Sequence, residues 1–361
     1  FAEIDAVNGQ AMTDQVLVKG VRCYACPVAC GRGTEIREGQ WKGHGGEGPE
    51  YETTNTLGAL CDVSDLNAIT MANYLCNAYG LDTISAGATI AFAMECYERG
   101  ILTRDRTGGI ALEFGDADLV VDLVSRIALR EGIGDLLAEG TRVVSQRLGQ
   151  GSEHFAVNVK GLELPAYDPR AAKITGLAYA IANRGGDHMT AYVQGPTFID
   201  IPFLIVDEST IRDPFVANPE EVRVLVDMED ALTVFDAIGG CKFMGILLTA
   251  EDIVELIAAA TGWDLSVEEF RRSGERIVNL ARAFCVREGV RREHDVLPGR
   301  LMEDPLPDGP AQGMVNDRAT MEMMKDAYYV LRGWDTVTGI PTPEKLRELG
   351  LEPLIADLWG P

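Results

Sequence analysis

No stretch of this chain approaches the roughly 20 consecutive apolar residues that a helix needs to cross a bilayer. A helical membrane span is therefore not expected. The first residues, Phe1-Ala-Glu-Ile-Asp5, lack the basic and apolar segments of a signal peptide. With no initiator Met, a trimmed or partial chain is the expectation. Positive charge is scarce: 32 Lys and Arg face 56 Asp and Glu, a formal charge of −24. That balance argues against a nucleic-acid or anionic-membrane surface. Cysteine is too sparse, at eight in 361 residues, for a disulfide scaffold, so a reducing, cytoplasmic setting is expected. Histidine is rarer still, at four, and no internal repeat is visible.

What remains is ordinary for a globular protein, with 46% hydrophobic and 24% charged residues and length enough for two domains. The pattern reads as mainly α. After a lead-in of some 20 residues with little periodicity, Ser64-Asp65 caps a helix over 66–79, which Gly80 ends. Asp82-Thr83 opens the next, with Ile84, Ile90 and Met94 on its apolar stripe. Helices follow over 116–130, 134–148, 219–236, 250–261, 266–286 and 320–331. An extended segment over 155–164 and a small-residue helix through Ala182 lie between them. The composition change at Gly149-Gln-Gly-Ser-Glu-His154 predicts a junction between domains 1–152 and 153–361.

The feature that carries chemistry is Cys23-x-x-Cys26-x-x-x-Cys30, three thiols on one short segment. Soft thiolates so spaced suit an iron–sulfur cluster or zinc, and a cubane needs a fourth ligand. Structural zinc would pair two knuckles, and no second Cys-x-x-Cys is present. Zinc and a metal-free trio stay open on spacing alone. Cys241 is the best fourth ligand, because Gly239 and Gly240 before it let backbone approach a ligand closely. Asp236 adds an acceptor beside those amides. An earlier segment, Asn77-Ala-Tyr-Gly80-Leu81-Asp82, has the same layout, which suggests one ligand gripped twice or two similar ligands.

These motifs occur in order with Gly48-Pro-Glu-Tyr-Glu52, Leu164-Pro-Ala-Tyr-Asp-Pro-Arg170, Asn183-Arg-Gly185 with His188, and Leu331-Arg-Gly-Trp-Asp335. Together they resemble the tungsten-dependent aldehyde:ferredoxin oxidoreductase family, over its second and third domains only. The resemblance implies two helical domains, a [4Fe–4S] cluster on Cys23, Cys26, Cys30 and Cys241, and tungsten (or molybdenum) held by two molybdopterins. Pterin contacts would map to Asn77, Gly80, Leu81 and Asp82, and to Asp236, Gly239 and Gly240. It implies anaerobic oxidation of an aldehyde, with electrons leaving through the cluster to ferredoxin or a partner subunit, in an oligomer. An N-terminal pterin-binding domain or chain would complete the site. Acid–base candidates are Glu50, Glu52 and His188, with His44 a weaker, solvent-facing one. Cys61 would be a tungsten ligand if the chain followed the benzoyl-CoA-reducing branch, the alternative reading. A third reading is a non-catalytic electron-transfer or scaffold chain. Two departures stand out: Asn77 replaces an Asp, and Gly240 a frequent Leu. Met71-Ala-Asn-Tyr74 lacks the Glu-x-x-His of a subunit-bridging iron.

Overall fold

Little periodicity marks residues 1–20, yet in the computed structural model they form helices α1 (Ile4–Val7) and α2 (Gly9–Gln15) and strand β1 (Leu17–Val21). The expected lead-in is thus corrected. Asn8 starts α2 by accepting from Ala11 N at 3.0 Å, and Val16 is buried. The described residues are 1–193, 213–245 and 247–360, in two units, Phe1–Tyr167 and Asp168–Pro361. β1 pairs antiparallel with β2 (Gly31–Glu35), Val21 opposite Gly31, and β2 pairs with β3 (Gly45–Glu47). That register sets residues 22–30 apart as a hairpin loop, which carries the three cysteines.

The rest of the first unit is α3 (Tyr51–Thr56), α4 (Leu66–Tyr79), α5 (Thr83–Glu98), α6 (Ala117–Leu129), α7 (Ile133–Leu137) and α8 (Gly140–Leu148). Asp65, Asp82 and Asp116 cap α4, α5 and α6, as their spacing predicts. α5 is apolar on nearly every side, with Ala86, Ile90, Phe92 and Met94 buried, and forms the middle of the core. Ile69 of α4 and Leu123 and Val124 of α6 belong to the same core. Burial of each such side chain contributes about 1.5–3 kcal/mol.

Two expectations are corrected in this unit. The single helix over 134–148 is two, because Gly140 stands at φ +76 and Glu163 caps the second piece. The Glu163 carboxylate accepts from Thr141 N at 2.7 Å and Thr141 Oγ1 at 2.8 Å. The compact units divide after Tyr167, not Ser152. Phe155 is buried against Phe92, ring centroids 5.4 Å apart. β4 (Asn158–Val159) and β5 (Leu162–Glu163) then form a short hairpin. The composition change at 149–154 therefore marks a loop within the first unit.

The second unit holds α9 (Lys173–Ile181), α10 (Glu221–Ile238), α11 (Lys242–Gly245), α12 (Ala250–Thr261), α13 (Val267–Arg287), α14 (Gly299–Glu303), α15 (Arg318–Arg332), α16 (Pro343–Glu348) and α17 (Ile355–Trp359). Thr249 with Asp252, and Ser266 with Glu269, make capping boxes for α12 and α13. α10 and α13 cross so closely that a Cβ on Gly274 would lie 1.9 Å from the Asp230 carbonyl oxygen. Gly274→Ala should therefore destabilise this unit by about 1–3 kcal/mol, read as an earlier thermal transition; an unchanged midpoint would contradict the crossing. Among the described residues, no helix is long and apolar enough to cross a membrane.

Candidate functional site

The cysteine loop is shaped by two alanines in left-handed conformations, Ala25 at φ 55 and Ala29 at φ 51. Each costs about 1–2 kcal/mol for a residue with a Cβ. Cys26 N donates to the Cys23 carbonyl at 3.1 Å, while Cys23 and Cys30 are exposed and Cys26 is half-buried. The hairpin thus gathers three soft donors on one strained loop, a donor set suited to a metal–sulfur centre. Among the described residues, no group of three or more His, Cys, Asp or Glu side chains converges as a metal site. Cys241 belongs to the second unit.

The two matched segments share one backbone geometry. Gly80 ends α4 at φ 73, ψ 34, and Gly239 ends α10 at φ 70, ψ 23. Both are left-handed caps that glycine holds without strain. Leu81 N donates to Cys76 O at 2.9 Å, and Gly240 N donates to Phe235 O at 2.8 Å, so each helix closes with the same reach across five residues. The space where a Cβ would sit is open at both caps. Asn77 and Asp82 beside one turn, and Asp236 and Cys241 beside the other, are exposed. A planar polar group could approach either turn's backbone. At Gly240 a Cβ would meet the Phe235 ring at 3.0 Å, so a larger residue there requires that ring to give way.

Around the first turn the two glutamates part company. Glu50 is exposed at the start of α3, in an ion pair with Arg32 at 2.5 Å. Glu52 is half-buried, and Oε2 accepts from Ala166 N at 2.7 Å. Burial pushes its carboxyl above the usual range, against the Ala166 hydrogen bond and helped by the Asp82 charge. Thr53 Oγ1 meets Thr83 Oγ1 at 2.9 Å, tying α3 to the start of α5. Glu52 and the 77–82 turn are thereby brought into one neighbourhood. Cys61 is fully buried, and its Sγ donates to Thr56 O at 3.3 Å. Burial pushes that thiol up to about 12. His44 is exposed, with Nδ1 3.0 Å from Trp41 O.

In the second unit His188 follows Asp187, which is buried and accepts from Arg184 Nε at 2.7 Å, Met189 N at 2.8 Å and Thr190 Oγ1. Burial opposes a charge on Asp187, yet these donors hold its carboxyl below the usual range. His188 is half-buried, and burial holds it below the usual imidazole value, with Asp187 opposing and Arg184 and Lys242 assisting. Lys242 Nζ donates to Met189 O at 2.7 Å and to Asp236 Oδ2 at 3.0 Å. The His188 loop and the 236–241 turn are thus joined through one side chain.

The family model described as aldehyde ferredoxin oxidoreductase, domains 2 and 3, matches residues 1–351. The chain belongs to the aldehyde ferredoxin oxidoreductase family. This is a family of oxidoreductases. The chain is 40% identical over 353 residues to the tungsten-containing aldehyde ferredoxin oxidoreductase of Pyrococcus abyssi, covering 96% of this chain and 55% of that protein. It is 30% identical over 341 residues to an aliphatic sulfonate oxidoreductase, WOR-like subunit, of Pyrococcus furiosus, covering 91% of this chain and 50% of that one. The chain spans about half the length of these relatives. Among solved structures it resembles the active-site complex BamBC of benzoyl coenzyme A reductase with 1,5-dienoyl-CoA, at TM-score 0.76 and 24% identity. That match covers 96% of this chain and 54% of the other and speaks for the fold alone.

Within this family frame, Lys242, Arg32 and Asp187 are the residues that sequence reasoning passed over. Asp187 had a local signal, an acid three residues after Arg184. Lys242 had none, because its partner Met189 is 53 residues away. The Leu331–Asp335 motif is structural. Arg332 is fully buried, and Trp334 Nε1 donates to Asn279 Oδ1 at 2.8 Å. In the Met71–Tyr74 stretch, Asn73 donates to Glu47 O at 2.8 Å, a packing role.

Proposed function

We propose that this chain is the cluster-bearing portion of a tungsten-dependent oxidoreductase that converts aldehydes to carboxylic acids. The observation that carries the reading is the repeated turn: each unit sets an acid–base side chain near a helix end open to a ligand. Glu52 accompanies the 77–82 turn in one unit, and His188 the 236–241 turn in the other. The name of the 40%-identical relative supports tungsten. Asn77, Gly80, Leu81 and Asp82, with Asp236, Gly239 and Gly240, would hold two pterins. Cys23, Cys26, Cys30 and Cys241 would hold a [4Fe–4S] cluster. When bound, these groups supply the acceptor for the two electrons that leave as aldehyde and water become acid and two protons.

The chain's own residues handle the protons. Glu52 is the stronger candidate of its pair, since its carboxyl is poised above the usual range while Glu50 is paired to Arg32 at the surface. Burial lowers the pKa of His188, which favours the neutral imidazole, whose unprotonated ring nitrogen can accept a proton. Asp82 N-caps α5 through Ser85 N at 2.9 Å, which orients its carboxylate beside the turn. We assign Cys61 to the core and not to tungsten, because its side chain is fully buried among apolar residues and its Sγ donates to the Thr56 carbonyl. That disfavours the benzoyl-CoA-type alternative. A preceding pterin-binding domain, a ferredoxin or partner subunit as acceptor, and a cytoplasmic setting complete the proposal.

The test is anaerobic purification of the full-length protein with elemental analysis and EPR. Tungsten or molybdenum and a cubane's complement of iron are expected, together with turnover of aldehydes. Cys26→Ala and Cys241→Ser should each lose the cluster signal. A protein with the cluster but neither tungsten nor molybdenum would leave only the electron-transfer scaffold.

A further inference from the structure

Lys242 is an unusual side chain for an exposed turn. It follows the exposed Cys241, yet its own side chain is only 14% exposed. Its ammonium spends one donor on a backbone carbonyl, Met189 O at 2.7 Å, and another on the Asp236 carboxylate at 3.0 Å. Partial burial of a Lys costs desolvation and side-chain rotamer freedom, and the two charge-assisted contacts offset that cost. These contacts join segments 53 residues apart in sequence.

The carbonyl it takes is also informative. Asp187 already gathers the His188 loop around itself, through Arg184 Nε before the histidine and Met189 N and Thr190 Oγ1 after it. Lys242 adds a tie to a different segment, by holding the carbonyl of the residue after His188. The backbone that carries the imidazole is thus held within its own loop by Asp187 and to the 236–241 turn by Lys242, whose ammonium is shared with Asp236. A Met at 242 would fill similar volume and make neither hydrogen bond.

We propose that Lys242 is a positioning residue that locks the His188 loop to the 236–241 turn, so that the proton acceptor and the ligand grip move as one body. This rests on the reading of His188 and the turn as parts of one site. It deepens that reading by naming the device that keeps them in register. An acceptor displaced by about 1 Å can lose about 100-fold in rate.

The experiment compares Lys242→Met, Lys242→Arg and His188→Asn, with the Met/Asn double variant, in the full-length protein. Hydrogen exchange of the 184–192 peptide should speed up about tenfold or more in Lys242→Met, with the melting temperature and exchange of the α13 peptides held. Lys242→Arg, which keeps the cation and its donors, should restore most of the protection. With aldehyde turnover, kcat should fall about 10–100-fold with KM changed less than about threefold. His188→Asn should absorb that loss, so the double variant is no slower than the single. Unchanged exchange at 184–192 overturns the lock, whatever the activity. Additive losses in the double variant overturn the route through His188. If no aldehyde turns over in any form, the functional reading fails while the exchange data still decide on the lock.

Discussion

Replacing Arg332 with Met should cost the second unit about 3–5 kcal/mol, the penalty for stranding buried charges. Arg332 is fully buried on α15, with Nη1 2.5 Å from Asp230 Oδ1 and Nη2 2.7 Å from Glu229 Oε2, both on α10. Nε donates to Tyr328 Oη at 3.0 Å, and Tyr328 donates to Glu229 at 2.6 Å. Removing the cation leaves this set of acceptors in the core without a charge partner. Burial already pushes Asp230 up to about 6, against the attraction of Arg332. A carboxyl whose folded pKa is raised contributes stability below its unfolded value, and that contribution is lost as pH rises through the folded value. Without Arg332 the folded value rises further, so the variant's deficit should be larger at pH 8 than at pH 5. Thermal unfolding at the two pH values measures this, with a drop of roughly 6–20 °C expected for a unit of this size. Equal losses at both pH values would count against an ionised Asp230 as the cause.

Glu52→Gln should lower kcat by about 10²–10⁴, the usual worth of a positioned acid–base group, with little change in stability. The stability half follows from the same linkage with the sign worked through. The Glu52 carboxyl is raised by burial, so its ionised form is disfavoured in the fold, and its contribution declines as pH rises through the folded value. Gln carries no charge to desolvate, and its oxygen can still accept from Ala166 N. Loss of activity would then report chemistry and not unfolding. In the wild type, the acid limb of the kcat profile should lie above the ordinary glutamate value of 4.5 and disappear in the variant. Glu50→Gln, which removes an exposed partner of Arg32, should change kcat by less than about threefold, since exposed pairs contribute about 0–1 kcal/mol. A loss on Glu50→Gln matching that of Glu52→Gln would reverse the assignment.

Local chemistry made much of this molecule legible from residues alone. Helix starts at Asp65, Asp82, Asp116, Thr249 and Ser266 could be read because the capped amides lie within three residues of each side chain. The stop at Gly80 could be read because glycine is the residue that holds a left-handed cap without strain. The shared layout of the two turns and the placing of three cysteines on one short loop belong to the same class. Residues 1–20 escaped because α1 and α2 are too short for a period to register. The junction at 149–154 misled because a flexible composition describes any exposed loop, while the compact unit is completed by Phe155 and the Glu163 cap.

The sequence by itself determined the helical class, the turn conformations, the cysteine loop and the family, since each rests on spacing along the chain. Only the tertiary structure decided that Glu52 is shielded and Glu50 exposed, although one residue separates them. It alone decided that Cys61 is a core thiol. It alone brought Lys242 to Met189 and Arg332 to Glu229, the latter pair 103 residues apart. Burial and ion pairing depend on what the rest of the chain packs against a side chain, and no local pattern records that.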